Sequence, residues 1–422
     1  MVTELEARRL AEHLARAAAE PGAPALVPHV AEFPECFIVW ALPDEHDDVP
    51  PPPGAGARTV IDRGTAALST YPSVPLEHVR RLHRQRLAEH PPAPVTADPL
   101  AALRRVGRGE SPGIAAELTP ADGRTRRATG AKGDQLLRHH RLVGDWLADQ
   151  PTGTLVRGAA RHAELIVLSD WLHELDQRAA RDGAPAVDLA MVRELTASIL
   201  DLRITLLRDP GDPLDGTPGG PCDTCLAVWI HVGLAPESAA QPPREPVAPI
   251  TGVPAALAGL PEDIAITLAA GGWDRPVRVG GRDLTSAEWA DLSVRALAAH
   301  GHPPLETLRA AIVKFPYLAS VRRGPGVANR VQPFEFGAEL VSHTAATLAR
   351  FAEVSGVPLA PIGAEHDGDG VVAIDALGRV WVLDQAGEWY AGPDLDTAFT
   401  VLLQGHPMPR VRDDGNLAPP GQ

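Results

Sequence analysis

His162 and Glu164 open one apolar stretch, RHAELIVLSDWL at 161–172, and Cys222 and Cys225 open another within PCDTCLAVWIHVG at 221–233. An imidazole and two thiolates are good zinc ligands, and three protein ligands leave the fourth tetrahedral position for water. Cysteines at i and i+3 of a helix start put both sulfurs on one side, where the helix dipole favours the thiolate. Zinc brings the pKa of its water into the neutral range and so supplies a hydroxide nucleophile. Glu164 lies close to His162 without having to bind metal. It is placed to take a proton from that water and pass it to a ring nitrogen and a leaving amine. Pro221 fixes the backbone before Cys222 and suits a first helical turn. The expected metal ligands are thus His162, Cys222 and Cys225, the expected cofactor is zinc, and the expected catalytic group is Glu164.

Each half has a plainer explanation. An isolated His-x-Glu pair is common by chance and usually marks surface or capping residues. Pro-Cys-x-x-Cys can be half of a structural zinc site or a redox pair. Cysteine scarcity weakens the first, and a redox pair would want a thioredoxin-like setting that is not apparent. Together the halves are far more specific. They occur in the order H-x-E then P-C-x-x-C that hydrolytic zinc deamination of a base uses. Each begins an apolar helix, and a β-like run, SILDLRITLL, separates them.

Other candidates are weaker. His173 and His231 lie near the motifs, where surface or satisfied core positions are the commoner outcome. His139 and His140 are adjacent and cannot both face one site. Cys36, in the strand-like ECFIVWAL, reads as a small core hydrophobe. Asp44, Glu45, Asp47 and Asp48 lack the ordered spacing of a calcium loop. GAGAR at 54–58 lacks the dinucleotide fingerprint, and no G-x-S-x-G, Walker loop or H-E-x-x-H occurs.

The elements that must position the four residues lie in the middle of the chain. GIAAELTP-ADGR-TRRATG places a turn between two extended runs, a hairpin pattern. DQLLRHHRLVGDWLADQ then carries Leu136, Val143 and Leu147 at helical spacing. A short TGTLVRG, the helix opened by His162, the run TASILDLRITLLR, the loop DPGDPLDGTPGG and the PCDTC helix follow. Such alternation predicts a sheet covered by helices. Two proline-rich joints bound this region, HPPAPVTADP at 90–99 and APESAAQPPREPVAPITGVP at 235–254. The resulting division is 1–92 as a small α+β domain, 100–235 as the zinc domain, 236–254 as a linker, 255–410 as a further α+β domain and 411–422 as a tail. In the first domain a helix near 3–19 precedes strand-like segments at 27–33, 36–42 and 58–62, the stretch ALSTYPS and a helix near 75–89. PDEHDDVPPPPGAGAR at 43–58 reads as a loop.

The middle domain resembles the YwqJ-type branch of the cytidine-deaminase-like superfamily through its hairpin, helix, HAE helix, strand and PCDTC helix in that order. The resemblance implies an α-β-α sandwich with a mixed sheet and activity on a base in nucleic acid or a nucleotide. It also implies zinc on His162, Cys222 and Cys225, with Glu164 as proton shuttle. The 59 residues between His162 and Cys222 exceed what compact nucleoside deaminases require. The loop at 209–221 accounts for part of the excess and is placed to border a pocket. The first domain resembles YrhB-type immunity domains through its initial helix, EFPECFIVWA and TVIDRGTAALSTYPSVP. The last resembles the third subfamily of the SUKH immunity superfamily. Gly272 and Trp273 after its first helix, the AIDALGRVWVL hairpin at 373–383 and the closing LDTAFTVLLQG helix carry that likeness. Further helices are expected near 285–299 and 343–355.

Global properties narrow the function. Length alone, 422 residues, permits two to four domains. Three cysteines exclude a disulfide framework. No run of eighteen apolar residues marks a membrane span, and the acidic N-terminal helix lacks a secretory pattern, so a cytoplasmic protein is expected. The net charge of -15 argues against wrapping long nucleic acid. That charge is uneven: 14 acidic against 9 basic side chains in 1–99, 18 against 16 in 100–235, and 22 against 14 in 236–422. The near-neutral middle holds Arg124, Arg126, Arg127 and Lys132, a group that would tolerate an anionic substrate. The leading expectation is a zinc-dependent deaminase of a nucleobase, cytosine ahead of adenine, acting on a nucleotide or single-stranded nucleic acid. The rival is a non-catalytic immunity protein of a toxin-conflict system, binding a partner such as a toxin and keeping zinc for its fold.

Overall fold

The computed structural model describes residues 2–17, 25–43, 56–89, 96–99, 101, 109–199, 201–240, 242–244, 257–273, 276–365 and 369–418. Its contacts divide the chain into two units, one of 1–109 with 135–138 and 173–184, the other of 110–134, 139–172 and 185–422. The acidic residues at 44–48, the start of GAGAR, and most of both proline-rich joints fall outside the described residues.

In the first unit, helix α1 (Glu4–Ala17) and helix α2 (Leu76–Glu89) accompany an antiparallel sheet of strands β1 (Leu26–Glu32), β2 (Cys36–Pro43), β3 (Arg58–Asp62) and β4 (Leu68–Tyr71). Strand β2 shows why the order of its residues matters. Side chains alternate across a strand, so Phe37 and Val39 pack with Ala7 and Leu10 of α1. Cys36 and Ile38 face the other way, toward Val79 of α2. The sheet is therefore apolar on both sides, and the continuous run CFIV is its consequence.

The second unit begins with strands β5 (Gly113–Thr119) and β6 (Arg126–Thr129), joined through Gly123 in the left-handed region. Helices α3 (Arg141–Ala148), α4 (Ala163–Arg181) and α5 (Leu189–Thr196), strand β7 (Asp201–Leu207) and helix α6 (Asp223–Val232) follow. The strands pair in the order β6-β5-β7, and both pairings are antiparallel. This corrects the expected mixed sheet: among the described residues no strand runs parallel to a neighbour. A parallel partner needs another extended segment after a crossover. TGTLVRG does not supply one, because Gly153 and Gly158 take positive φ and the stretch folds into turns. The loop at 209–221 instead returns along β7, with Leu206 N–H bonded to the Thr217 carbonyl and Gly219 N–H to that of Ile204.

The helix expected across 134–150 is also shorter. It starts only at Arg141, where the His140 ring caps it by accepting from Leu142 N–H at 3.3 Å. Leu136, whose spacing suggested a core position, is exposed. Helix α5 was not foreseen, although Asp188 caps it by accepting from Met191 N–H.

The rest of the unit contains helix α7 (Glu262–Ala270), the small pair β8 (Val277–Val279) and β9 (Arg282–Leu284), and helices α8 (Ser286–Ala299) and α9 (Glu306–Lys314). Strands β10 (Leu318–Ser320) and β11 (Phe334–Phe336) precede helix α10 (Ala345–Ser355). Strands β12 (Leu359–Glu365), β13 (Gly370–Asp375), β14 (Val380–Asp384) and β15 (Gly387–Gly392) then lead to helix α11 (Leu395–Gln404). Strands β10 to β15 form an antiparallel meander in chain order. Val372, Ile374, Val380 and Val382 meet α7, α8, α9 and α11 on one face. Val371, Ala373, Trp381 and Leu383 meet Leu348 and Phe351 of α10 on the other. The expected helices near 285–299 and 343–355 and the 373–383 hairpin are present, while α9, strands β8 to β12 and β15 were not foreseen. Residues 411–418, read as a tail, fold back on the sheet, with Val411 N–H bonded to the Glu388 carbonyl and Ala418 N–H to that of Arg410.

Candidate metal centre

Two helix starts meet in the second unit. Helix α4 is buried all round its first turns, through Ala163, Glu164, Leu165, Ile166, Val167 and Leu168. Each large apolar side chain so covered contributes about 1.5–3 kcal/mol, which fixes the helix and the residue before it. His162 is that residue; its backbone is extended and its carbonyl accepts the N–H groups of Leu165 and Ile166. Cys222 occupies the cap position of α6, its Sγ accepting from Cys225 N–H at 3.5 Å, and Cys225 lies one turn in. Thr224 Oγ1, between them, accepts Val156 N–H at 2.8 Å and ties the start of α6 to the chain leading into His162.

His162 and Cys222, with 59 residues between them in sequence, therefore converge. His162 Nδ1 is 3.4 Å from Cys222 Sγ and 3.5 Å from Cys225 Sγ. The three donor atoms lie within 4.8 Å of one another, and they are the one group of this kind among the described residues. Zn–N and Zn–S bonds of about 2.0 and 2.3 Å at a tetrahedral angle put N and S about 3.5 Å apart. The donor set and its spacing thus fit zinc.

Burial governs the electrostatics. His162, Glu164, Cys222 and Cys225 are 4%, 0%, 5% and 0% exposed. Burial pushes Glu164 upward, and despite the opposing His162 charge the Cys222 thiolate helps bring its pKa to about 7. Burial alone would lower His162, but the Cys222 thiolate and then Glu164 raise it to about 9. Cys222 is held well below the ordinary thiol value, foremost by its hydrogen bond with Cys225, and further by His162. Cys225 goes the opposite way, raised by burial and by the neighbouring Cys222. A helix start favours the thiolate form of a capping cysteine, the direction in which Cys222 is moved.

Glu164 reaches beyond its own region. Its Oε2 accepts from Gln385 Nε2 at 3.4 Å, and Gln385 Oε1 accepts Ala163 N–H at 3.0 Å. Its Oε1 is buried without a hydrogen-bond partner, the kind of polar orphan that usually signals a missing ligand or ion. Gln385 was not foreseen: it sits 221 residues from Glu164 in a turn between β14 and β15, with no spacing to link them. Asp223 and Arg157 were likewise missed. Asp223, in the first turn of α6, pairs with Arg330 at 2.6 Å and Arg323 at 3.4 Å. Arg157 pairs with Glu365 at 2.6 Å and Asp384 at 2.8 Å.

The remaining candidates have other roles. His139 bonds Ser169 Oγ and the Ala160 carbonyl, and His173 bonds the Arg138 carbonyl. Of the basic group, Arg126 pairs with Asp122, Arg127 with Glu117, and Lys132 with the Ser111 carbonyl. Three of its four members are thus engaged within the chain. Cys36 is core, and burial pushes its thiol up to about 11.

Both flanking sheets lie in immunity-type domains. Residues 260–405 match the family described as SUKH-3 immunity protein, and residues 5–90 match the one described as Immunity protein 35-like domain. No curated protein and no solved structure matches the chain. No helix among the described residues is long and apolar enough to cross a membrane.

Proposed function

We propose that the segment between the two immunity domains is a zinc-dependent deaminase of nucleobases. The YwqJ-type likeness of the middle segment and the YrhB-type likeness of the first domain belong to the same reading. One observation carries it: Glu164, a carboxyl poised near pH 7 with an unpartnered oxygen, lies beside a His-Cys-Cys donor set. A purely structural zinc site has no use for that carboxyl. His162 Nδ1 and the Cys222 and Cys225 sulfurs would hold the metal, which when bound supplies a Lewis acid that activates water at neutral pH. Glu164 does the proton work of the chain. With a pKa of about 7 it is present in both protonation states, able to accept a proton on one oxygen and return it to a ring nitrogen or leaving amine. The buried surroundings exclude bulk water from that transfer. A free nucleotide, or a base exposed in a single strand, needs no base flipping from a duplex, and cytosine remains the favoured base.

The test is ammonia release from cytidine, cytidine monophosphate and a cytosine-containing oligonucleotide, with Glu164→Gln alongside. Release by the intact protein and a fall of about 10²–10⁴ in Glu164→Gln is the expected result. Release that persists in Glu164→Gln removes the carboxyl from the mechanism.

A second reading has its own support in the two immunity matches and in the complete burial of the centre. In it the protein binds a partner such as a toxin through its flanking domains, and the acidic surface suits a basic partner. Zinc then only braces the fold. Zinc binding without amine release from any base, in a protein whose centre has been uncovered, favours this second reading.

A further inference from the structure

Glu164 accepts a hydrogen bond from a residue of the SUKH-3 domain, Gln385. We propose that the turn Asp384–Gln385–Ala386 of that domain is the cover of the metal centre, closing Glu164 to solvent and substrate until the Gln385 arm lets go. The proposal rests on the zinc-centre reading above, but its test does not require zinc.

The turn is shaped before it meets the centre. Asp384 Oδ1 accepts the N–H groups of Ala386 and Gly387 at 2.8 and 3.1 Å and the Trp389 indole N–H at 3.0 Å. Its other oxygen accepts Arg157, which lies five residues before His162. One carboxylate therefore both folds the turn and fastens it beside the site. Gln385 then uses both ends of its amide, one on the first free N–H of α4 and one on Glu164.

The facing backbone is cut away to receive it. A Cβ at Gly130 would stand 2.3 Å from the Gln385 carbonyl oxygen, and one at Gly158 would stand 2.7 Å from the Ala386 methyl. Such approaches need glycine, since backbone carbonyls cannot give way. The Arg157 guanidinium also lies over the Trp389 ring, 5.5 Å from its centroid. The contact is thus a fitted amide plug, fastened by the Arg157–Asp384 ion pair and carried by a turn whose Ala386 is anchored in the SUKH-3 apolar core, with Glu164 behind it. The part free to let go is the polar arm of Gln385, whose released groups are solvated in the open state.

The experiment measures access in the full-length chain. Reduced, metal-free protein is exposed to iodoacetamide, and alkylation of Cys222 and Cys225 is followed by mass spectrometry. Zinc-loaded protein is separately challenged with a chromophoric chelator. Gln385→Ala is expected to speed both alkylation and zinc transfer about tenfold, and Gly130→Ala, which pushes the turn away from the opposite side, to do the same. Hydrogen exchange in β13 checks that the SUKH-3 sheet stays folded. If Gln385→Ala loses that protection, Gln385→Asn, which shortens the arm without removing the amide, carries the test. Wild-type access rates in variants that keep β13 protected overturn the cover. Faster alkylation in a protein that never binds zinc upholds the cover and removes the zinc reading instead.

Discussion

Cys36 and Cys222 are both buried, yet their thiols are driven in opposite directions. Cys36 opens an apolar strand, packs with Ile38, Val60 and Val79, and has its thiol pushed up to about 11 by burial. Cys222 caps a helix, receives the Cys225 N–H, and stands 3.4 Å from an imidazole, so its proton is lost far more easily. Burial is common to both; what differs is the presence of oriented donors and a charge partner. The contrast separates a cysteine that fills space from one set within a buried His-Cys-Cys group that could hold a metal ion.

The largest effect that would sharpen this contrast is on metal affinity. Cys225→Ser should weaken zinc binding by at least about 10³-fold, since a hydroxyl is a poor substitute for a thiolate ligand. Cys36→Ser should leave it unchanged. Chelator competition measures both, and equal losses in the two variants would dissolve the distinction. Next in size is stability. Cys36→Ser puts a hydroxyl among apolar side chains and should cost about 1–3 kcal/mol, seen as an earlier denaturant midpoint. Cys36→Ala should cost less, because no polar group is buried. If the serine variant is the more stable of the two, Cys36 is not the apolar filler described.

The smallest effect concerns the carboxylate next to Cys36. Glu35 is held at about 2, foremost by its hydrogen bond with Arg80 against the cost of burial, and further by Arg84. Its folded pKa is thus below the unfolded value. The stabilisation is complete above about pH 4.5 and is lost as pH falls through about 2. Solvent screening keeps it to about 1 kcal/mol. Glu35→Gln should therefore lower the melting midpoint of the first unit near neutrality, with the difference shrinking from about pH 4.5 and vanishing only below pH 2. A difference that grows on acidification contradicts the pairing.

How much of this was legible in the sequence depended on whether a signal is local. The apolar run at Cys36–Val39, the Asp-Ala-Leu-Gly hairpin and the two cysteines ahead of an apolar helix each carry their meaning within a few residues. The convergence of His162, Cys222 and Cys225 was readable because these types in this order have few other uses together. Leu136 misled because helical spacing does not show where a cap falls, and His140 ends the loop by capping α3 four residues later. The mixed sheet, which came from the family resemblance rather than from any strand read in the residues, gave way to two antiparallel pairings. Gln385, Arg157 and Asp223 gave no sign at all. Their roles are set by contacts between segments more than 100 residues apart, and a glutamine in a hairpin turn looks like any solvated turn residue.

The central claim is that the two helix starts form a metal centre, and native mass spectrometry of the reduced, intact chain tests it most directly. One zinc per chain, absent when Cys222 is replaced by alanine, is the predicted result. An intact folded chain that takes up no zinc at micromolar metal under reducing conditions would contradict it and leave His162, Cys222 and Cys225 as a packed polar cluster without a metal.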